Sequence, residues 1–198
     1  MSSWVEIERR FLIDGRNEKP WRDCVENFHI RQVYLDKDKL TTNLGNNSIA
    51  YDRIILVTEI DSSAFFDIEE NNDWVVRIRK RGIEYYLTLK GKRVGASAKE
   101  HEFLIGDEVF EKVVGGKQYP EISKTRYNWM GEDGMIWEVD EFEGLLGGLV
   151  IAEVELTRED EPVKLPDWLG LEITHLGNWS NADLARSIRS ATDKIPGQ

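Results

Sequence analysis

Glu6-Ile7-Glu8-Arg9-Arg10-Phe11-Leu12-Ile13 opens the chain with alternating chemistry. Read as a strand, successive side chains point to opposite faces. One face then carries Glu6, Glu8 and Arg10, and the other carries Ile7, Arg9 and Phe11. A run ending Phe-Leu-Ile lies in an apolar setting, so a row of charges on one of its faces needs an explanation. A single strand of this kind is explained by water on that face. Repetition along the chain calls for a different explanation.

The same period of two recurs at Ile30–Leu35, Arg53–Glu59, Trp74–Arg81, Glu84–Lys90, Lys99–Ile105, Ile122–Trp129, Met135–Phe142 and Leu149–Thr157. Gly82 marks a tight turn, and Asp133-Gly134 marks a hairpin. Helical patterning is sparser. Pro20–Phe28 reads as a short helix with Trp21, Val25 and Phe28 on one side. Asp107–Val114 reads as another, its acidic start suited to the positive end of the helix dipole. Ser180-Asn181-Ala182-Asp183 reads as a cap and first turn leading into Leu184–Ala191. Pro166–Gly170 reads as a turn ending at glycine. The segment 36–73 is polar, with flexible loops expected at Asn43–Ser48 and Glu69–Asp73.

The charged faces sort by sign. Glu6/Glu8, Glu100/Glu102, Glu138/Asp140 and Glu153/Glu155 are acidic pairs, and Arg77/Arg79, Lys90/Lys92 and Lys124/Arg126 are basic pairs. The plain alternative, an antiparallel sheet with one wet face, predicts mixed polar residues instead. Side chains two apart on one strand stand roughly 7 Å apart, so same-sign pairs repel unless something lies between them. Acidic pairs suit a hard cation such as Mg²⁺. Basic pairs suit an anion, phosphate oxygens above all. A closed barrel lined in this way would hold a polyphosphate and a metal together, which is the chemistry of phosphoryl transfer.

Composition narrows the classes. The 198 residues suit one domain, and 40% hydrophobic with 32% charged content describes a globular, very polar chain. A net charge of −11 argues against nucleic acid as a general partner but leaves room for a local cationic cavity. No apolar run reaches membrane-span length, and the start lacks a signal-peptide layout. A lone cysteine, Cys24, excludes an internal disulfide framework and fits a reducing cytoplasm. The three histidines show no zinc-ligand spacing with cysteine.

These motifs resemble the CYTH, or triphosphate tunnel metalloenzyme, family. That family's signature is Glu-x-Glu-x-Lys, here Glu6-Ile7-Glu8-Arg9-Arg10. Further matches follow in order: Val76-Arg77-Ile78-Arg79, Leu87-Thr88-Leu89-Lys90-Gly91, Glu100-His101-Glu102-Phe103, Lys124-Thr125-Arg126-Tyr127, Trp137-Glu138-Val139-Asp140-Glu141-Phe142 and Ala152-Glu153-Val154-Glu155-Leu156. The resemblance implies a mainly β, α+β fold, a closed eight-stranded antiparallel barrel with flanking helices, spanning residues 1–198 as one domain. It implies Mg²⁺ or Mn²⁺ held by Glu6, Glu8, Asp140, Glu153 and Glu155. It implies triphosphate held by Arg77, Arg79, Lys90, Lys124 and Arg126, and a tunnel lined by Glu100, Glu102 and Glu138. Arg10, Glu6 and Glu8 are the expected catalytic positions, with Arg10 also gripping phosphate. Arg81 and Lys92, at strand ends, read as rim charges.

Two departures stand out. Arg10 replaces the signature lysine; it keeps the charge but does not release a proton near neutral pH. The segment 36–73 is longer than in compact bacterial members, which suggests an extra hairpin or a lid over the tunnel mouth. Trp4, Trp74, Trp129, Trp137, Trp168 and Trp179 are expected to pack the outer barrel face. His101, between Glu100 and Glu102, should face outward, and Cys24 should be buried and inert. Lys90-Gly91-Lys92-Arg93 reads as a strand end and turn, since it lacks the strand–loop–helix setting of a P-loop. The expected protein is a cytoplasmic, metal-dependent triphosphatase acting on a small triphosphate, inorganic tripolyphosphate by preference, as a monomer or homodimer. Thiamine triphosphatase, class IV adenylate cyclase and a non-catalytic polyphosphate- or nucleotide-binding protein are the alternatives.

Overall fold

A computed structural model describes residues 5–71 and 73–194. The strands are β1 (Val5–Leu12), β2 (Glu26–Leu35), β3 (Leu40–Asn43), β4 (Ser48–Tyr51), β5 (Ile54–Val57), β6 (Val75–Arg81), β7 (Glu84–Lys90), β8 (Ser97–Leu104), β9 (Glu121–Met130), β10 (Ile136–Phe142) and β11 (Val150–Leu156). The helices are α1 (Ser62–Glu70), α2 (Asp107–Val114) and α3 (Asn181–Thr192). Eight strands close an antiparallel barrel in the order β1-β11-β10-β9-β2-β6-β7-β8, while β3, β4 and β5 form a separate small sheet. Closure is made by β8 against β1, where Glu6 pairs with Ala98. Gly82 lies at a φ of +58° in the two-residue turn from β6 to β7, and Gly134 at +84° in the turn from β9 to β10, a region where a side chain is strained.

The outward positions build the core. Val33, Val76, Ile78, Leu87 and Leu89 pack under Ile49, Tyr51 and Leu56 of the small sheet, Phe65 and Ile68 of α1, and Phe110 and Val113 of α2. On the opposite side, Phe11, Val139 and Val154 pack with Trp21 and Trp137, with Trp129 and Trp168 alongside. At one end of the barrel the inward positions turn apolar. Tyr34, Ile122, Phe142 and Ile151 meet Ala182 and Ala185 of α3, which closes that end. Ser180 caps α3, its hydroxyl accepting from the Asp183 amide at 3.1 Å.

Four expectations are corrected. Pro20–Phe28 is not a helix. A short 3-10 turn at Pro20–Arg22 leads directly into β2. The reason is pairing: β9 runs ten residues, and Glu26 to Ile30 supply its hydrogen-bonding partners from Asn128 to Lys124. Trp21 is buried, anchored by a bond from its Nε1 to Glu141 at 3.0 Å, whereas Val25 is exposed. Arg53–Glu59 shrinks to β5 and lies outside the barrel. Asn43–Ser48 is an ordered hairpin turn, with Asn43 paired to Ser48 and the Gly45 amide bonded to Asn43 Oδ1 at 2.8 Å. The segment 36–73 is not a lid. Its sheet and helix pack on the barrel's outer wall, and none of its described residues lines the tunnel.

One further expectation is met and one is corrected. His101 faces outward, bonded to Asp67 Oδ2 at 2.8 Å and edge-on to Trp74. Cys24, expected to be buried, is only half-buried, because it sits in the turn before β2 and not in a helix. Trp4 lies outside the described residues. Among the described residues no helix is long and apolar enough to cross a membrane. Phe65, 1% exposed, is the main anchor of α1. Phe65→Ala should lower unfolding free energy by about 3–5 kcal/mol while triphosphate binding in the tunnel is unchanged, as read by denaturant midpoint and calorimetry.

Candidate active site

The barrel encloses a cavity of about 560 Å³. Its lining takes the inward residue of each pleat, so the period of two in the sequence becomes a wall of alternating height. Around the ring the charges divide into two arcs. Four consecutive strands, β8, β1, β11 and β10, carry Glu100 and Glu102, Glu6 and Glu8, Glu153 and Glu155, and Glu138. The other four, β9, β2, β6 and β7, carry Lys124 and Arg126, then Gln32 and Tyr34, then Arg77, Arg79 and Arg81, then Lys90. Arg10 is the cation set within the acidic arc.

Cross-strand pairs join the two arcs. Arg77 meets Glu100 at 3.3 Å and Arg79 meets Glu102 at 2.8 Å. Lys90 is bonded to Glu6 and stands 3.4 Å from Glu100. Arg126 reaches Glu138, Asp140 (2.7 Å) and Glu153 (3.1 Å). Lys124 is bonded to Asp140, and Arg10 Nε donates to Glu153 at 2.7 Å. The Nε atoms of Arg77 and Arg79 are buried without a hydrogen-bond partner among the described residues. Such orphan donors are costly unless a ligand or water satisfies them.

The electrostatics follow from burial and neighbours. Burial pushes the Glu8 carboxyl up to about 7, reinforced by Glu153 and Glu6 and opposed by Lys90 and Arg93. Burial also raises Glu155, with Glu138 and Glu6 adding repulsion. Glu153 goes the other way: burial would raise it, but Arg10, Lys124 and Arg126 hold it well below the usual carboxylate range. Burial lowers Lys124 despite the pull of Asp140.

Residues 62–188 match the model of the CYTH domain. The chain belongs to the CYTH family. An inorganic triphosphatase from Acetivibrio thermocellus is 39% identical to it over 127 residues, which is 62% of this chain and 76% of that protein. An inorganic triphosphatase from Nitrosomonas europaea is 36% identical over 115 residues, 57% of this chain and 76% of that one. The crystal structure of an inorganic triphosphatase superposes with a TM-score of 0.55 at 27% identity, covering 97% of each chain.

Within this CYTH chain, all the predicted tunnel residues but one line the cavity. The exception is Asp140, 1% exposed and set beneath the wall between Lys124 and Arg126. Glu6, Glu8, Glu153 and Glu155 are hard oxygen donors on adjacent strands, with Glu8 directly opposite Glu155. Glu8 and Glu155 face one another across adjacent strands, and this set of hard oxygen donors fits a divalent metal. As the side chains stand, no three His, Cys, Asp or Glu among the described residues converge closely enough to enclose one, because Glu6, Glu8 and Glu153 each turn to a cation.

Sequence reading passed over several lining residues. Tyr34 and Gln32 share the inward parity of β2, with Gln32 Nε2 donating to the Tyr34 hydroxyl at 2.8 Å. Arg93 enters from the loop after β7 and bonds Glu8. Thr174 and the start of α3 line the cavity from the C-terminal segment, which carries no strand pattern to signal it.

Two measurements check this electrostatic picture. Asp140→Asn strips the buried Lys124 and Arg126 of a shared anion and should destabilise by about 3–5 kcal/mol, read by urea unfolding. In EDTA, ionising Glu8 costs stability, because its folded pKa of about 7 exceeds the ordinary 4.5. Its contribution is therefore fully present below about 4.5 and lost as pH rises through 7. Glu8→Gln should flatten that limb of the stability–pH curve.

Proposed function

We propose that this chain hydrolyses a triphosphate, inorganic tripolyphosphate in particular, within the charged tunnel. The observation that carries the reading is the division of one cavity into a cationic arc and an acidic arc, with the Nε donors of Arg77 and Arg79 without partners among the described residues. The inorganic triphosphatases among its relatives support it. Arg77, Arg79, Lys90, Lys124, Arg126 and Arg10 would grip the phosphate oxygens; guanidinium groups suit them because they donate in pairs. Glu100, Glu102 and Glu138 would aim Arg77, Arg79, Lys90 and Arg126 into the tunnel. Asp140 would hold Lys124 and Arg126 from below, a supporting part in place of the metal-ligand part expected of it.

Glu6, Glu8, Glu153 and Glu155 would hold Mg²⁺ or Mn²⁺ against the phosphates. Held there, such a cation would supply charge neutralisation at the phosphates and acidify water for attack on phosphorus. The arginines and lysines then stabilise charge spreading over the phosphate oxygens as the terminal phosphoanhydride bond breaks, leaving pyrophosphate and phosphate. Among the described residues Tyr34 is the one aromatic ring lining the cavity, and it is buried, so a base or thiazole ring finds little flat surface to stack on. That favours inorganic triphosphate over ATP or thiamine triphosphate. Action in the cytoplasm, as a monomer or homodimer, completes the reading.

The test is phosphate release from tripolyphosphate, thiamine triphosphate and ATP, each with Mg²⁺, Mn²⁺ or EDTA. Metal-dependent release from tripolyphosphate should exceed the other two, and Arg77→Ala should lower its kcat/KM by about 100-fold. Binding without release from any of the three would move the reading to a polyphosphate-binding protein. Cyclic AMP formation from ATP would move it to a cyclase.

A further inference from the structure

We propose that Arg93 couples metal entry to triphosphate binding: it occupies Glu8 while the tunnel is empty and transfers to a phosphate oxygen when Glu8 takes the metal. The proposal rests on the triphosphatase reading and assigns a part to a residue outside the barrel strands. Arg93 sits in the loop joining β7 to β8. That loop is fastened at both ends. The Gly91 amide bonds Lys99 O at 2.8 Å, Val94 and Ser97 exchange backbone bonds at 2.8 and 3.1 Å, and Glu159 Oε1 accepts from the Ala96 amide at 3.4 Å. The backbone is thus held while the Arg93 side chain reaches into the cavity.

Its position there is specific. The Ala96 carbonyl accepts from the Glu8 amide at 3.3 Å and from Arg93 Nη1 at 3.0 Å, so the guanidinium is registered against the residue it pairs with. Arg93 Nη2 bonds Glu8 Oε1, while the other arginine near that carboxylate, Arg10, stands 3.8 Å away and is committed to Glu153. On β8 the small Ala98 shares the parity of Glu100 and Glu102 and lies directly across from Glu6. Exposure is unequal: the Glu8 side chain is 8% exposed and that of Arg93 is 27%. The carboxylate stays in place, and the arginine is the partner with room to move.

A cation held on Glu8 competes with a metal ion for the same oxygens. A polyphosphate anion in the tunnel offers Arg93 a new partner, freeing Glu8. Each ligand therefore eases the binding of the other, a coupling that is reciprocal by thermodynamic necessity. Removing Arg93 should move the two separate affinities in opposite directions, a signature that a loss of structure does not produce.

The experiment compares the wild-type protein with Arg93→Gln and Arg93→Lys, their melting temperatures checked in parallel. Mn²⁺ alone is titrated by electron paramagnetic resonance, and tripolyphosphate is titrated into EDTA-treated protein by calorimetry. Arg93→Gln should bind Mn²⁺ about tenfold more tightly and tripolyphosphate about tenfold more weakly. Arg93→Lys should shift both in the same directions by a smaller factor, which keeps the test open if the glutamine variant fails to fold. Mn²⁺ affinity that is unchanged or weaker, or tripolyphosphate affinity that is unchanged, overturns the role of Arg93 alone. A wild-type protein that binds no tripolyphosphate overturns the triphosphatase reading and the coupling with it.

Discussion

A closed barrel turns half of every strand toward a confined interior, and here those positions carry ions. Charges removed from water need partners, since one left alone in a low-dielectric interior is strongly unfavourable. The chain meets this requirement with ionic pairs running around the wall. Lys124 and Arg126 on β9 share Asp140 on β10, Arg126 continues to Glu153 on β11, and Glu153 binds Arg10 on β1. On the far side Lys90 on β7 bridges Glu100 on β8 and Glu6 on β1. Folding the strands in this ring order therefore assembles the site at the same time.

Parity was the legible part. Alternation alone identified which face of β1, β6, β7, β9, β10 and β11 turns inward, and the same-sign pairs indicated that a ligand belongs between them. Ring order was not legible, because it depends on pairings such as Arg10 with Glu153 that join residues far apart in the chain. The separation into acidic and cationic arcs was therefore invisible until the strands closed. Pro20–Phe28 failed for a related reason: its apolar spacing suits a helix, but the unpaired length of β9 claims Glu26 onward as a strand. For α1 a signal was present and went unread. Asp61 caps it, accepting from the Ser63 amide at 2.9 Å, and Phe65 and Ile68 follow at helical spacing.

The segment 36–73 acts on the tunnel from outside rather than as a cover. Asp67 of α1 bonds Lys99 and His101 on the outward face of β8. The inward residues of that strand, Glu100 and Glu102, pair with Arg77 and Arg79. A helix clamped to one face of a strand fixes the pleat and so the direction of the side chains on the other. The apolar contact beneath α1 and the small sheet also screens β6 and β7, which carry Arg77, Arg79, Arg81 and Lys90 of the cationic arc. Length without lining residues thus fits a buttress better than a gate.

Arg10 shows why a substitution at a signature position need not disturb the architecture around it. Its backbone anchors the C-terminal segment: its amide donates to Thr174 Oγ1 at 3.1 Å and its carbonyl accepts from the Ile173 amide at 2.8 Å. Its side chain stands between two acidic residues, 2.7 Å from Glu153 and 3.8 Å from Glu8. A guanidinium serves as well as an ammonium as that divider, and better as a two-pronged grip on phosphate. What it does not do is give up a proton near neutral pH. Its surroundings strengthen this, since the attraction of Glu153 and Glu8 outweighs burial and raises its pKa further. Position 10 is therefore a fixed charge in this tunnel, and proton transfer during hydrolysis has to run through other groups.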